Sequence, residues 1–271
     1  MTIVKEQYTW DKISSWDLVL PPSRPSRYHL WIILNQLKYR NKELPVAILG
    51  STPEYRDLLH RLGYVNVFVF EKSEPVFNQM SNLTSFQCNE TLVRGDWLQT
   101  LAVFSNRFDI ILSDLTSGNV PYDLQAKFYA AISNSLLTSG LFIDKILTFQ
   151  RPKLKLKKLI RKYSQLPVNL LYINYFSCEF LFCSELLDID QRVDSTYFYN
   201  YLADTFDSPI LNKFLTESPK ITPYDTVWFY GREWNEIIPF YTTQLQTVHV
   251  YDDERSSPYH GFLKVIIGRK N

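Results

Sequence analysis

The sequence predicts an α/β protein: a mostly parallel sheet flanked by helices, with a helical insertion in the second half. Two observations carry this. Short apolar runs without alternation, such as Val46-Ala47-Ile48-Leu49 and Phe108 to Leu112, suit strands covered on both faces. Segments of helical period separate them, giving five strands over about 100 residues and right-handed βαβ crossovers.

Taken in order, Pro21-Pro22-Ser23-Arg24-Pro25-Ser26 breaks regular structure, and Ser26 is an N-cap for a helix over Tyr28 to Tyr39. Pro45 precedes the first strand, which ends at Gly50. A helix over Glu54 to Leu62 stops at Gly63, and Val65 to Phe70 is a second strand ending at Glu71. Ser73-Glu74-Pro75 opens a helix with Ser73 as its cap and Pro75 in its first turn. Thr91 to Val93 is a brief strand before Gly95-Asp96-Trp97. Phe108 to Leu112 follows, with Asp109 inside it and Asp114 at its end. A helix over Tyr122 to Leu137 leads through Ser139-Gly140 to a fifth strand, Leu141 to Leu147.

The second half is less regular. Leu156, Leu159, Ile160 and Tyr163 place an apolar stripe on a helix whose segment, Arg151 to Lys162, carries seven basic residues. The length of Asn169 to Leu187 favours helix over strand. Ser195 to Leu215 and Glu233 to Tyr241 read as helices, and Gln246 to Tyr251 pairs with Phe262 to Gly268 as an antiparallel hairpin. The expected organisation is one domain: an N-terminal segment (1–44), a core (45–150), a helical insertion (151–230) and a terminal helix with hairpin (231–271).

Composition narrows the class. The 29 Lys and Arg balance 28 Asp and Glu, so no overall field favours nucleic acid or an anionic membrane as the main partner. The apolar run Leu170 to Cys183 is interrupted by Asn174, Ser177 and Glu179 and is too short to span a bilayer. The start, Met1 to Trp10, has no apolar core of a signal peptide. Cys88, Cys178 and Cys183 show no C-x-x-C spacing, which fits a reducing cytoplasm. The four histidines are scattered, so no metal site is expected.

Ligands of an open α/β sheet sit beyond the carboxyl ends of its strands. Gly50, in Leu49-Gly50-Ser51-Thr52-Pro53-Glu54, lets the backbone turn before a helix that presents free N–H groups. Glu71, 21 residues on, can accept both hydroxyl protons of a ribose. Asp96 can take an adenine amino group and Trp97 can pack on the base; Asp114 lies near a reacting group. Each also has a plain structural role open to it: a loop glycine, a solvated acid, a helix cap, a core tryptophan.

Four segments resemble the class I S-adenosylmethionine-dependent methyltransferases. They are Ile48 to Glu54, Val69-Phe70-Glu71-Lys72-Ser73, Val93-Arg94-Gly95-Asp96-Trp97 and Phe108 to Asp114. The loop is similar to a bacterial subset reading L-G-x-T-P-E, and Trp16 with Arg24-Pro25-Ser26 also looks like that subset. Residues 10 to 150 carry the likeness. It departs from the usual G-x-G, because Thr52 stands at the second glycine and Pro53 follows. The resemblance implies a Rossmann-like, seven-stranded sheet with an antiparallel last strand. It implies that Gly50, Ser51, Thr52 and Glu54 line the methionine part of S-adenosylmethionine, Glu71 the ribose, and Asp96 with Trp97 the adenine, with Lys72 and Gly95 also in the cofactor site. Asp114 and Leu115 would then face the reaction centre, with Asp114 and Tyr122 as catalytic candidates. Trp16, Arg24, Tyr28, Asn119 and Tyr122 are candidates for substrate contact.

Methyl transfer from a sulfonium is an in-line displacement that mainly needs alignment of donor and acceptor. That agrees with the absence of a Ser-His-Asp or Cys-His signature. Nucleic-acid amino methyltransferases carry Asp/Asn-Pro-Pro-aromatic after the fourth strand; Asp114-Leu115-Thr116-Ser117 does not match, so a small molecule or peptide is the expected acceptor, with oxygen ahead of nitrogen. Two other readings remain: a non-catalytic binding or assembly module on the same fold, and a dinucleotide-dependent oxidoreductase, for which only the first glycine of G-x-G-x-x-G is present.

Overall fold

A computed structural model describes residues 6–7, 16, 19–86, 89–148, 155–180, 192–205, 207–220, 224–230 and 232–270. Its elements are β1 (Glu6–Gln7), α1 (Arg27–Leu37), β2 (Val46–Leu49), α2 (Pro53–Arg61), β3 (Val67–Glu71), α3 (Glu74–Ser81), β4 (Glu90–Arg94) and α4 (Trp97–Thr100). Then come β5 (Phe108–Asp114), α5 (Gln125–Ser135), β6 (Leu136–Leu147), α6 (Leu156–Tyr163), α7 (Leu170–Phe180), β7 (Arg192–Asp194) and α8 (Ser195–Thr205). The chain finishes with α9 (Pro209–Glu217), β8 (Thr226–Tyr230), α10 (Trp234–Gln244), β9 (Leu245–Asp252) and β10 (Leu263–Lys270).

Contacts divide the chain into two compact units. The first, Pro21–Leu147 with Asn235–Asn271, holds a seven-stranded sheet in the order β4-β3-β2-β5-β6-β10-β9. Strands β4, β3, β2, β5 and β6 pair in parallel, and β10 runs antiparallel between β6 and β9. This is a mostly parallel Rossmann-like sheet with an antiparallel C-terminal strand, as the sequence predicts.

The unbroken apolar runs explain the layering. Along β2, Val46 and Ile48 face one side of the sheet, where Ile32, Ile33 and Leu37 of α1 and Tyr55 and Leu59 of α2 close a core with Ile110, Leu112, Ile143 and Val265. The opposite face is aromatic. Phe70 and Phe68 pack edge-on against Phe108 and Phe104, while Tyr129 of α5 and Tyr241 of α10 pack on Phe142. Each such buried side chain stabilises the fold by about 1.5–3 kcal/mol relative to exposure. Polar ties fix the margins. The Arg40 guanidinium grips Asp109 of β5, with Nε donating at 2.7 Å, and the Asp109 bond raises the Arg40 pKa despite its burial. Arg56 Nε of α2 donates to Glu90 at 2.8 Å.

Caps match their sequence signals. The Ser26 side chain accepts from His29 N–H to start α1, and that of Ser73 accepts from Val76 N–H to start α3. The helix expected over Tyr122 to Leu137 is shorter. A 3-10 turn at Tyr122–Leu124 precedes α5, and Leu136 already belongs to β6, which pairs with Phe108. The fifth strand is therefore twelve residues, not seven.

The second unit, Met1–Leu20 with Thr148–Trp234, contains α6 to α9 and a small sheet in the order β1-β8-β7. That sheet is a correction to the all-helical reading of this region. So is the break between α8 and α9: Ser208 caps α9 by accepting from Leu211 N–H, and Pro209 occupies its first turn, so one continuous helix cannot form. Leu156, Leu159, Ile160 and Tyr163 of α6 are buried as the apolar stripe requires. Tyr163 donates to Glu179 Oε1 at 2.6 Å, and the Lys162 ammonium meets the same carboxylate. Residues 151–154 of the basic segment, 181–187 of the apolar one, Cys88, Cys183 and Gly231 lie outside the described residues. Among the described residues no helix is long and apolar enough to cross a membrane.

Candidate functional site

The carboxyl ends of β2, β3, β4 and β5 bring the first unit's candidate residues together. Gly50 leaves β2 with φ +88°, and its N–H donates to Phe70 O at 2.9 Å, so the turn is tied to β3. A Cβ built on Gly50 meets no atom within 4 Å, which leaves bare backbone beside open space. Thr52 takes the N-cap position of α2 with no side-chain cap bond, and Pro53 occupies the first turn without losing a helical N–H bond. The residues departing from G-x-G therefore start a helix in ordinary geometry.

Glu71, at the end of β3, is where these segments meet. Ser51 Oγ donates to its Oε2 at 3.2 Å and Ser73 N–H to its Oε1 at 3.0 Å. Gly95 N–H donates to the Glu71 main-chain oxygen at 3.2 Å, which brings the β4 end alongside. A carboxylate oxygen can accept more than one hydrogen bond, as binding a diol requires. Trp97 Nε1 donates to Phe70 O at 3.0 Å, holding the indole at the β3 end. Asp96 Oδ1 accepts from Leu98 N–H at 2.9 Å and so caps α4. Gly95 sits at φ +144°, and a Cβ there would lie 2.7 Å from Thr100 Cγ2. Lys72 is exposed beside Glu71.

Asp114 ends β5 beside Lys145 of β6, its partner in the parallel ladder. Lys145 Nζ lies 2.5 Å from Asp114 Oδ1 and donates to Pro22 O at 2.6 Å, with its side chain wholly buried. Burial raises the Asp114 pKa above the usual carboxylate value, while the Lys145 charge and hydrogen bond pull it back. Thr52 Oγ1 reaches Asp114 Oδ2 at 3.5 Å. Leu115 follows at φ +58°, its N–H on Lys145 O at 2.8 Å, and Thr116 Oγ1 donates to Leu49 O at 3.1 Å. These bonds turn the chain back over the end of β2.

The substrate candidates separate. Arg24 makes an ion pair with Glu54 in the first turn of α2, so the segment before α1 is tied to the loop. Tyr28 stacks on Trp31 with ring centroids 6.1 Å apart, and burial, then the Asp253 charge, raises its pKa. Asn119 Nδ2 donates to Leu115 O at 3.3 Å, inside the turn that follows β5. Tyr122 is half exposed, its ring edge-on to Phe240 at 5.5 Å. Trp16 belongs to the second unit.

Sequence reasoning missed three features. Lys145 and Asp144 interrupt an apolar strand, a visible signal that burial would force them to find partners. His29 is buried and accepts from Ser26 N–H at Nδ1, so its neutral ring carries the proton on Nε2, 3.1 Å from Asp253 Oδ1. Burial alone would raise the Asp253 pKa, but bonds from His29 and Ser257 outweigh it and hold it low. The third is the Arg24–Glu54 tie. Among the described residues no group of three or more His, Cys, Asp or Glu could hold a metal ion.

Solved structures of similar fold exist at low identity. A Rhodobacter sphaeroides protein assigned provisionally to the Zn-dependent alcohol dehydrogenases has a TM-score of 0.57 at 13% identity, over 97% of this chain and 100% of that one. A SAM-dependent methyltransferase from Methanosarcina mazei has 0.51 at 12%, over 88% and 96%. The N-methyltransferase NodS from Bradyrhizobium japonicum, in complex with S-adenosylhomocysteine, has 0.50 at 10%, over 94% and 91%. No family model and no curated protein matches the sequence. At these identities the likeness shows the fold.

Proposed function

We propose that this chain binds S-adenosylmethionine at the carboxyl ends of β2 to β5 and transfers its methyl group to a small molecule or peptide. One observation carries the reading: the loop from Gly50, the Glu71 carboxylate and the Gly95–Trp97 segment meet at the carboxyl ends of β2, β3 and β4, joined by the Ser51–Glu71 and Gly95–Glu71 bonds. Glu71 would hold the ribose hydroxyls, Asp96 and Trp97 the adenine, and the bare Gly50 backbone with Ser51, Thr52 and Glu54 the amino-acid end. The L-G-x-T-P-E loop supports the likeness to the bacterial subset stated from sequence. The antiparallel β10 also favours this over a dinucleotide site, whose usual sheet order of about six strands is 3-2-1-4-5-6 and parallel.

The bound cofactor supplies an electrophilic methyl group on a good leaving group. The chain's own task is alignment, which contributes up to about 7–11 kcal/mol to such a reaction. Asp114 is paired with Lys145 and Thr52, so its role is to fix the loop rather than to remove a proton. An acceptor that needs no deprotonation, above all a carboxylate, fits that arrangement. Tyr122, Asn119, Tyr28 and Arg24 remain the candidates for acceptor contact.

Isothermal titration with S-adenosylhomocysteine tests the reading. Heat with a micromolar or tighter Kd, and none with reduced nicotinamide dinucleotide, supports it. The reverse pattern overturns it, and silence with both favours a binding module. Mass spectrometry for a gain of one methyl group in carboxylate-bearing metabolites then identifies the acceptor.

A further inference from the structure

Asp144, one residue before the lysine that pairs with Asp114, points to the opposite face of the sheet and is wholly buried. It faces Ser113 across the β5–β6 ladder, Ser117 in the turn after β5, Tyr129 on α5 and Tyr241 on α10. Tyr241 Oη donates to its Oδ2 at 3.1 Å. Asp144 Oδ1, Ser113 Oγ, Ser117 Oγ and Tyr129 Oη are all buried, and among the described residues none closes a hydrogen bond of ordinary geometry. Four such atoms, one on the carboxyl group and three on the hydroxyls around it, are rare together in a folded interior.

The position of Ser117 gives this cluster its consequence. The turn Ser117–Asn119 carries the candidate Asn119, between Leu115 and Tyr122, and the chain around it is tied to β6 and to α5. On one side Leu115 N–H bonds Lys145 O; within the turn Gln125 Nε2 holds Ser117 O at 2.7 Å and Val120 O at 2.8 Å; on the other side the Ser117 hydroxyl faces Asp144. We propose that Asp144 is a positioning residue for the methyl-transfer site: its carboxylate, facing the Ser117 hydroxyl, holds residues 115–119 at the carboxyl end of β5. The inference rests on the function proposed above.

The state of the carboxyl group then matters. Burial raises its pKa to about 7, against the favourable hydroxyls of Ser113, Ser117 and Tyr241, and the Asp114 charge adds to the rise. The other titratable groups that sense it are Tyr129, Tyr241 and Tyr55, each held neutral by burial. The carboxylate can only accept, from Tyr241 and from the serine hydroxyls that face it. The acid must itself donate, which reverses one of those bonds and loosens Ser117.

Amide hydrogen exchange on the whole chain without ligand, corrected for intrinsic rates, tests the hold on the turn. Protection of residues 115–120 should fall on the order of tenfold from about pH 8 to about pH 6, the limit for one proton. Asp144→Asn should abolish that dependence, and Ser117→Ala should do the same while leaving Asp144 in place, should the first variant fold poorly. Unchanged protection in the wild type across this range, or the same fall in Ser117→Ala, overturns the proposal. S-adenosylhomocysteine affinity should follow the same curve. Binding that ignores pH overturns the link to the site, whereas no binding at any pH defeats the proposed function and leaves the exchange result to judge the turn.

Discussion

Thr52 Oγ1 lies 3.5 Å from Asp114 Oδ2, so the loop leaving β2 and the end of β5 are joined through a carboxylate whose other oxygen meets Lys145. That contact connects the loop after β2 to a buried ion pair, and through Lys145 to Pro22 ahead of α1.

Lys145→Met should destabilise the protein by about 3–5 kcal/mol, because it leaves the Asp114 charge buried without its partner. The double variant with Asp114→Asn should recover much of that loss, since an amide needs no counter-charge. Chemical denaturation of the three variants checks it; equal losses in the single and double variants would show that the Pro22 bond matters more.

Glu71→Ala should weaken S-adenosylhomocysteine about tenfold or more, the value of hydrogen bonds to a charged group, while melting close to the wild type. Titration calorimetry reads this directly. An unchanged Kd would remove Glu71 from the site.

At Gly95 two costs combine, a φ of +144° and a Cβ 2.7 Å from Thr100 Cγ2. Gly95→Ala should therefore cost about 1–3 kcal/mol. Adding Thr100→Ser removes the methyl clash but not the backbone strain, so the pair should recover only part. Full recovery in thermal melts would mean that the backbone relaxes at no cost.

Stability should depend on pH with a sign set by Asp144. Its folded pKa of about 7 stands above the ordinary 3.8, so the native state holds an extra proton between those values. This contribution falls as pH rises through that window and is flat above it. Asp253 acts in the other direction: its pKa is held low, and its contribution is lost only on acidification below the usual carboxylate range. The midpoint of urea unfolding should therefore decline from about pH 5 to about pH 8 in the wild type and stay level in Asp144→Asn. A wild-type curve that rises over this range would show that other groups dominate.

What the sequence made legible follows from how each element is buried. Strands β2, β3 and β5 are apolar on both faces, so their composition betrays them, and the polar residues that end them stand out. Strand β7 has three residues, too few to show any period, and β8, Thr226–Tyr230, is rich in aromatic and branched residues yet lies in a stretch whose surroundings read as helix. The shortened α5 illustrates another limit: Leu136 and Leu137 continue the helical spacing, and only pairing with Phe108 turns them into strand. Within the site, Gly50, Glu71 and Asp96 are placed by local chain geometry and could be read in order. Lys145, His29 and Asp253 could not, because each gains its partner through contacts distant in sequence.

The antiparallel β10 wedged between β6 and β9 also sets an order of events. Its ladder with β6 joins Leu263 to Leu147 and Arg269 to Leu141, pairs separated by more than a hundred positions. Closing a loop of that size is slow compared with assembling β2, β3 and β5, whose neighbours are close along the chain. In pulse-labelled exchange β2, β3 and β5 should gain protection first, so the turns at their carboxyl ends form before the edge of the sheet is sealed.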